Sequence, residues 1–197
     1  MKNGLLNLGE GLQGNKANKT GKIGETFIKE ILDILKIENC IEELKDKFST
    51  RIEENNKKIK HTPDFVIRNS EIGKNIFYKK EYLILESKYK QTEGSDWEKI
   101  ESNFGYHEFY YNNIANISSK TVVILTGFWS ELQNNYWVFM EYFKNIYGSY
   151  RIFDFGYSTK EIFRFANLME VNLTDNQKEK ITETWQKYKN LAKNKQK

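Results

Sequence analysis

Residues 81–90 read EYLILESKYK. Tyr82, Leu83, Ile84 and Leu85 form an apolar run that passes into Glu86, Ser87 and Lys88 with no turn residue between. Side chains alternate faces along a strand, so Glu86 and Lys88 share the face of Ile84, and Leu83 and Leu85 take the other. Charges at the end of a core strand are costly to desolvate, so an acid and a base placed there together ask for a reason.

The stretch just upstream supplies one. HTPDFVIRN, residues 61–69, reads as another strand, DFVIRN, introduced by Pro63, the only proline in the chain. Proline fixes its own backbone and holds the preceding residue extended, which stiffens the approach to that strand. SEIGKN at 70–75 reads as a turn, and IFYKK at 76–80 either begins the second strand or stands alone. Two strands joined this closely pair most simply as an antiparallel hairpin or meander. The start of the first then lies beside the end of the second, bringing Asp64 to Glu86 and Lys88.

The rest of the chain alternates helix and strand. Residues 1–19 are rich in Gly, Asn and Lys and read as a basic arm. Thr20 is a plausible N-cap for a helix through GKIGETFIKEILDILK, with Ile23, Phe27, Ile31 and Leu35 as its core stripe. Glu25, Ile28 and Leu32 make a neighbouring stripe. The charged stretch 38–60 reads as a short helix or mixed segment and then a loop. After the 81–90 strand, Gly94 closes a turn, and Ser95 with Glu98 forms a capping box for a helix running to about residue 116, with Gly105 as its weak point. TVVILTGFW (121–129) is a buried strand, NNYWVFMEYFKNIYG (134–148) an aromatic amphipathic helix, and YRIFDFG (150–156) a fourth strand. A helix opened by Ser158 or Thr159 follows, and then a solvent-facing C-terminal helix, 174–197, capped by Thr174 or Asp175. The order predicts an α/β fold: a central mixed β-sheet flanked by helices on both faces. No repeat or linker divides residues 1–197, so a single domain is expected.

Composition narrows the setting. At 39% hydrophobic and 29% charged residues the chain is globular in type, and a net charge of +4 favours an acidic partner only weakly. Locally basic stretches lie at 14–25 and 185–197; Lys16, Lys19 and Lys22 could track a nucleic-acid backbone. Cys40 is the lone cysteine, which excludes an intrachain disulfide and suits a reducing cytoplasm. It reads as a small packing residue and not a nucleophile. The first residues are too broken by Gly and Asn for a signal peptide, and no apolar run nears the roughly 20 residues of a membrane span. A cytoplasmic protein without membrane attachment is expected. Two histidines and one cysteine cannot make the usual four-ligand N/S zinc site, so any metal is expected on carboxylates and water, which selects magnesium or manganese. No GxxxxGK[ST] loop is present, so ATP use is not expected.

Asp64 and Glu86 close together would repel, and a divalent cation between them would relieve that repulsion. The pattern PDF at 63–65 and ESK at 86–88, each half on a predicted strand, resembles the PD-(D/E)XK nuclease superfamily. The resemblance runs from Thr20 to the strand at Thr121. It implies a restriction-endonuclease-like fold and magnesium-dependent hydrolysis of DNA phosphodiesters that leaves a 5′-phosphate, with manganese as the substitute ion. It also implies Asp64 and Glu86 as metal ligands, the Ser87 backbone carbonyl as another, and Lys88 positioning or activating the water. Glu25 stands where many members carry an acid on the first helix. The stretch SKYKQTEGSDWEKI resembles the segment after the catalytic lysine in several type II restriction endonucleases. Lys22, Lys90, Gln91 and Lys99 are the candidate DNA contacts. His61 is expected to be a bystander, and His107 to lie in an aromatic helix that serves as core or dimer contact, with Trp129 and Trp137 packed. The expected activity is a type II restriction endonuclease acting as a homodimer on double-stranded DNA. The alternatives are a structure-selective repair, recombination or phage nuclease, and a DNA-binding protein without activity.

Overall fold

The stretch 82–90 is an inner strand of a four-stranded mixed sheet. The computed structural model describes residues 10–48, 52–54, 57–59, 61–68, 80–90 and 97–194. A small antiparallel hairpin, β1 (Ile52–Glu54) and β2 (Lys57–Ile59), stands apart from the sheet. The sheet contains β3 (Phe65–Arg68), β4 (Tyr82–Lys90), β5 (Ser119–Gly127) and β6 (Ile152–Asp154), ordered β3-β4-β5-β6. β3 runs antiparallel to β4, with Phe65 opposite Leu85 and Arg68 opposite Tyr82. β4, β5 and β6 are parallel, with Ile84 beside Thr121 and Ile124 beside Phe153.

Alternation along the strands sends side chains into two separate cores. On one face Leu83, Leu85, Val122, Ile124 and Phe153 pack with α1 (Glu10–Leu35), α6 (Thr159–Leu168) and α7 (Asp175–Asn194). On the other, Val66 and Ile84 meet Phe48 of α2 (Lys45–Phe48) and Tyr110 and Tyr111. Val123, Leu125 and Ile152 meet Trp97 and Ile100 of α3 (Trp97–Ser102), Trp129 of α4 (Trp129–Leu132) and Phe143 of α5 (Tyr136–Tyr147). The expected α/β class, with a mixed sheet and helices on both faces, is the one observed.

Five local readings change. α1 begins at Glu10 and not at Thr20, so residues 10–19 extend a helix where an arm was expected; residues 1–9 lie outside the described ones. Propagating an existing helix costs far less than starting one, so it runs on through Lys16 and Lys19 without an apolar stripe. The loop expected before residue 60 contains the β1–β2 hairpin. Gly105 does not break its helix; α3 continues into two π-helical turns, Asn103–His107 and Tyr110–Ile114. α7 is not merely solvent-facing: Ile181, Tyr188 and Ala192 are buried, and the Tyr188 ring lies 4.9 Å from that of Phe27 in α1. Its start is fixed by a capping box, in which the Gln177 N–H donates to Thr174 Oγ1 and the Thr174 N–H to Gln177 Oε1. Trp129 packs as expected, but Trp137 is 59% exposed. Cys40 is buried, its Sγ 3.4 Å from the Val66 carbonyl, in keeping with a packing role. Among the described residues no helix is long and apolar enough to cross a membrane.

Candidate active site

β3 begins at Phe65 opposite Leu85, so β4 runs on past its neighbour. Asp64, one residue before β3, fills that open edge: its Oδ2 accepts the Ser87 N–H at 2.6 Å. A strand residue's N–H and C=O point to the same side, so the Ser87 carbonyl faces the same edge. The outer edge of β3 is pinned as well. Asn39 Oδ1 accepts the Val66 N–H at 2.9 Å, and the Cys40 N–H donates to the Val66 carbonyl at 2.8 Å. The strand that delivers Asp64 is therefore held on both sides.

Glu86 is 2% exposed, on the face of Ile84 as the alternation predicts. Its Oε1 accepts the Tyr111 hydroxyl at 2.7 Å, and Lys88 Nζ lies 3.3 Å from its Oε2. His61 Nε2 is 3.3 Å from Oε1, an ion-pair distance without hydrogen-bond alignment. Burial alone would raise the Glu86 carboxyl, but His61, Lys88 and Tyr111 outweigh it and hold the group below the ordinary carboxylate range. Asp64 goes the other way. Burial first, then the charge of Glu86, push it up to about 7, against the Ser87 N–H and Lys88, which pull it down. Two carboxylates of opposite tendency thus share one sheet edge, one compensated and one not.

Glu25 adds a smaller push on Asp64, which sets the α1 acid within electrostatic reach of the pair. Gly24 makes that approach feasible. A Cβ there would stand 2.4 Å from Thr126 Oγ1 and 3.1 Å from Ser87 Oγ, so glycine lets α1 lie directly on β4 and β5.

The candidate DNA contacts divide. Lys22 on α1 and Lys99 in the first turn of α3 are exposed. Lys90 shares the strand face of Lys88 but is 2% exposed, its ammonium 5.0 Å over the Trp129 ring, so it does not face a backbone phosphate. β5 and α4 cover this end of β4: the Trp129 indole N–H donates to the Lys88 carbonyl, and the Phe128 N–H to that of Lys90. Gln91, Gly94 and Ser95 lie outside the described residues, and α3 begins at Trp97.

Sequence reasoning undervalued the opposite wall. His107 and Tyr111 both reach the Glu86 site; the rings of His61 and His107 lie 3.7 Å apart between centroids, tilted by 31°. Burial, and then His61, lower His107 to about 4, so it is neutral near pH 7. Its Nδ1 sits 2.8 Å from Oδ1 of Asn103, which is fully buried. Asn103, His107 and Tyr111 recur at every fourth position, and the widened π turns keep those positions on one face. That spacing was the available signal. Among the described residues, His61, Glu86 and His107 are the group whose ligand atoms all lie within 4.8 Å of one another.

Comparison with family models, with curated proteins and with solved structures finds no match to this chain, and its own geometry is what carries a functional reading.

Proposed function

We propose that this protein is a metal-dependent DNA endonuclease of the type II restriction kind, cutting double-stranded DNA as a homodimer. The observation that supports this is the meeting of Asp64, Glu86 and Lys88 at the edge of β4 that β3 leaves unpaired, with Asp64 pushed up to about 7 beside a carboxylate that stays ionised. Uncompensated repulsion between a buried carboxylate and a half-buried one is what a bound cation relieves. The donor set fits magnesium or manganese: Asp64, Glu86 and the Ser87 carbonyl offer only oxygen. When bound there, the ion would supply charge neutralisation for the scissile phosphate and acidify a coordinated water.

The chain's own groups do the remainder. Lys88, 3.3 Å from Glu86 Oε2, orients the attacking water or takes its proton, and its charge offsets the negative charge that develops on phosphorus. Tyr111 fixes the Glu86 carboxylate from the far side. Pro63 and the Asn39 clamp fix the strand that carries Asp64. Glu25 is a further acidic group for the same site, and Lys22 on α1 and Lys99 on α3 are exposed cations.

The test is digestion of a DNA of known sequence with the purified protein and magnesium, followed by sequencing of the ends, with Asp64→Ala as control. Discrete fragments with common end sequences are expected from the wild type and none from the variant. Cutting confined to branched or single-stranded DNA would replace the restriction reading with a structure-selective one. Binding without cleavage in magnesium or manganese would remove the enzyme reading.

A further inference from the structure

We propose that His61, His107 and Glu86 form a second cation site, for a divalent transition metal of the zinc class, on the α3 side of the Glu86 carboxylate. It differs from the magnesium reading in face and in donors, and only Glu86 is common to both. It stands whether or not the chain cuts DNA.

Three observations carry it. First, two imidazole nitrogens and one carboxylate oxygen lie within 4.8 Å of one another, close enough for one ion to touch all three after small ring rotations. The 3.3 Å between His61 Nε2 and Glu86 Oε1 matches the edge, roughly 3.3 Å, of a tetrahedron built on metal–ligand bonds of about 2.0–2.1 Å. Second, His61 Nε2 is buried and lies 3.3 Å from Glu86 Oε1 without hydrogen-bond alignment, a placement that an ion shared by the two atoms would satisfy.

Third, the surroundings hold the donors in the form that ligates. The Asn103 amide nitrogen donates to the Lys99 and Ile100 carbonyls, so its Oδ1 is the atom turned to His107 Nδ1. Nδ1 therefore carries the proton, and Nε2 keeps its lone pair. An outer partner that fixes the tautomer in this way is what ligating histidines have, and the Tyr111 hydroxyl does the same for Glu86 Oε1. Imidazole nitrogen selects zinc, nickel or copper over magnesium and manganese, and two histidines with one carboxylate leave a fourth position for water or substrate.

Cobalt(II) is the probe. Titrated into the metal-stripped full chain, it is expected to give the intense visible bands of a four- or five-coordinate ion, displaced by one equivalent of Zn²⁺ and not by excess Mg²⁺. His61→Ala and His107→Ala should each weaken binding at least about tenfold, and Asn103→Leu, which touches no metal, by about 10–100-fold. Asp64→Asn should leave the bands in place. Near-ultraviolet circular dichroism checks each fold; should His107→Ala fail to fold, His61→Ala, with 26% of its side chain exposed, still decides the matter. Absent bands, or bands that survive His61→Ala, would overturn the site. Bands lost in Asp64→Asn would assign the ion to the other face. Cleavage with no cobalt bands removes this inference alone; bands with no cleavage remove the nuclease reading alone.

Discussion

Asp154 shows how one buried carboxylate sets a pH dependence. It closes β6 with its Oδ2 accepting the Tyr136 hydroxyl at 2.8 Å and its Oδ1 the Tyr157 N–H at 2.9 Å. Burial still pushes it up to about 7, with Glu161 adding to the shift. The folded chain therefore holds this proton more tightly than the unfolded chain, whose carboxyl titrates near 3.9. The contribution to stability falls as pH rises from about 4 to about 7, by about 1.4 kcal/mol per pH unit at most, and is flat above. Asp154→Asn should remove that share of the slope, read by denaturant titration across pH; an unchanged slope would refute it. At the site itself, Lys88→Ala should lower cleavage at least about 100-fold, measured by single-turnover kinetics, with unchanged turnover removing Lys88 from the chemistry. Tyr111→Phe keeps the ring and deletes the donor to Glu86, so it should cost about 1.5–3 kcal/mol in unfolding free energy, since the acceptor is ionised. Asp64, Glu86 and Lys88 were legible because strand alternation is rigid: two residues on always returns to the same face. His107 and Tyr111 were not, because a shared helix face does not by itself say that the face lies over Glu86.

At the scale of elements, the contact of α1 with the sheet decides where Glu25 stands. Gly24→Ala would drive a methyl against Thr126 Oγ1, on a β-branched side chain with little freedom to rotate, and against the Cβ of Tyr89 at 3.2 Å. The helix must lift, at about 1–3 kcal/mol for an overpacked contact, and Glu25 moves away from Asp64. A lower melting temperature together with reduced cleavage is expected; a variant matching wild type in both would deny the contact its role. The helix itself was readable from Ile23, Phe27, Ile31 and Leu35, of which all but Ile23 are fully buried. Its extension to Glu10 was not, since nothing in residues 10–19 repeats at an apolar period. The β1–β2 hairpin was hidden for a related reason. Its pairing sets Glu53 opposite Lys58 and Glu54 opposite Lys57, so opposite charges, and not alternating apolar residues, mark its register.

For the whole molecule, the two-sided sheet was legible because its strands are apolar on both faces, a pattern that only helices above and below can satisfy. The closing partner of α1 was not, because α7 carries its buried residues among many charges. Those residues bind closely: the Tyr188 hydroxyl donates to Glu30 Oε1 at 2.9 Å, the Trp185 indole N–H to the Phe155 carbonyl, and the Gln177 amide to the Ile34 carbonyl. Removal of residues 174–197 should therefore abolish cooperative thermal unfolding and expose surface that binds a hydrophobic dye; a truncated chain that melts sharply near the wild-type temperature would contradict it. The bond between Gln177 and Ile34 joins residues 143 positions apart, a distance that takes roughly 7–30 s to synthesise. Throughout that interval the nascent α1 lacks the share of its cover that α7 supplies through Tyr188. The helix that carries Glu25 therefore gains the last part of its cover only once α7 has been made.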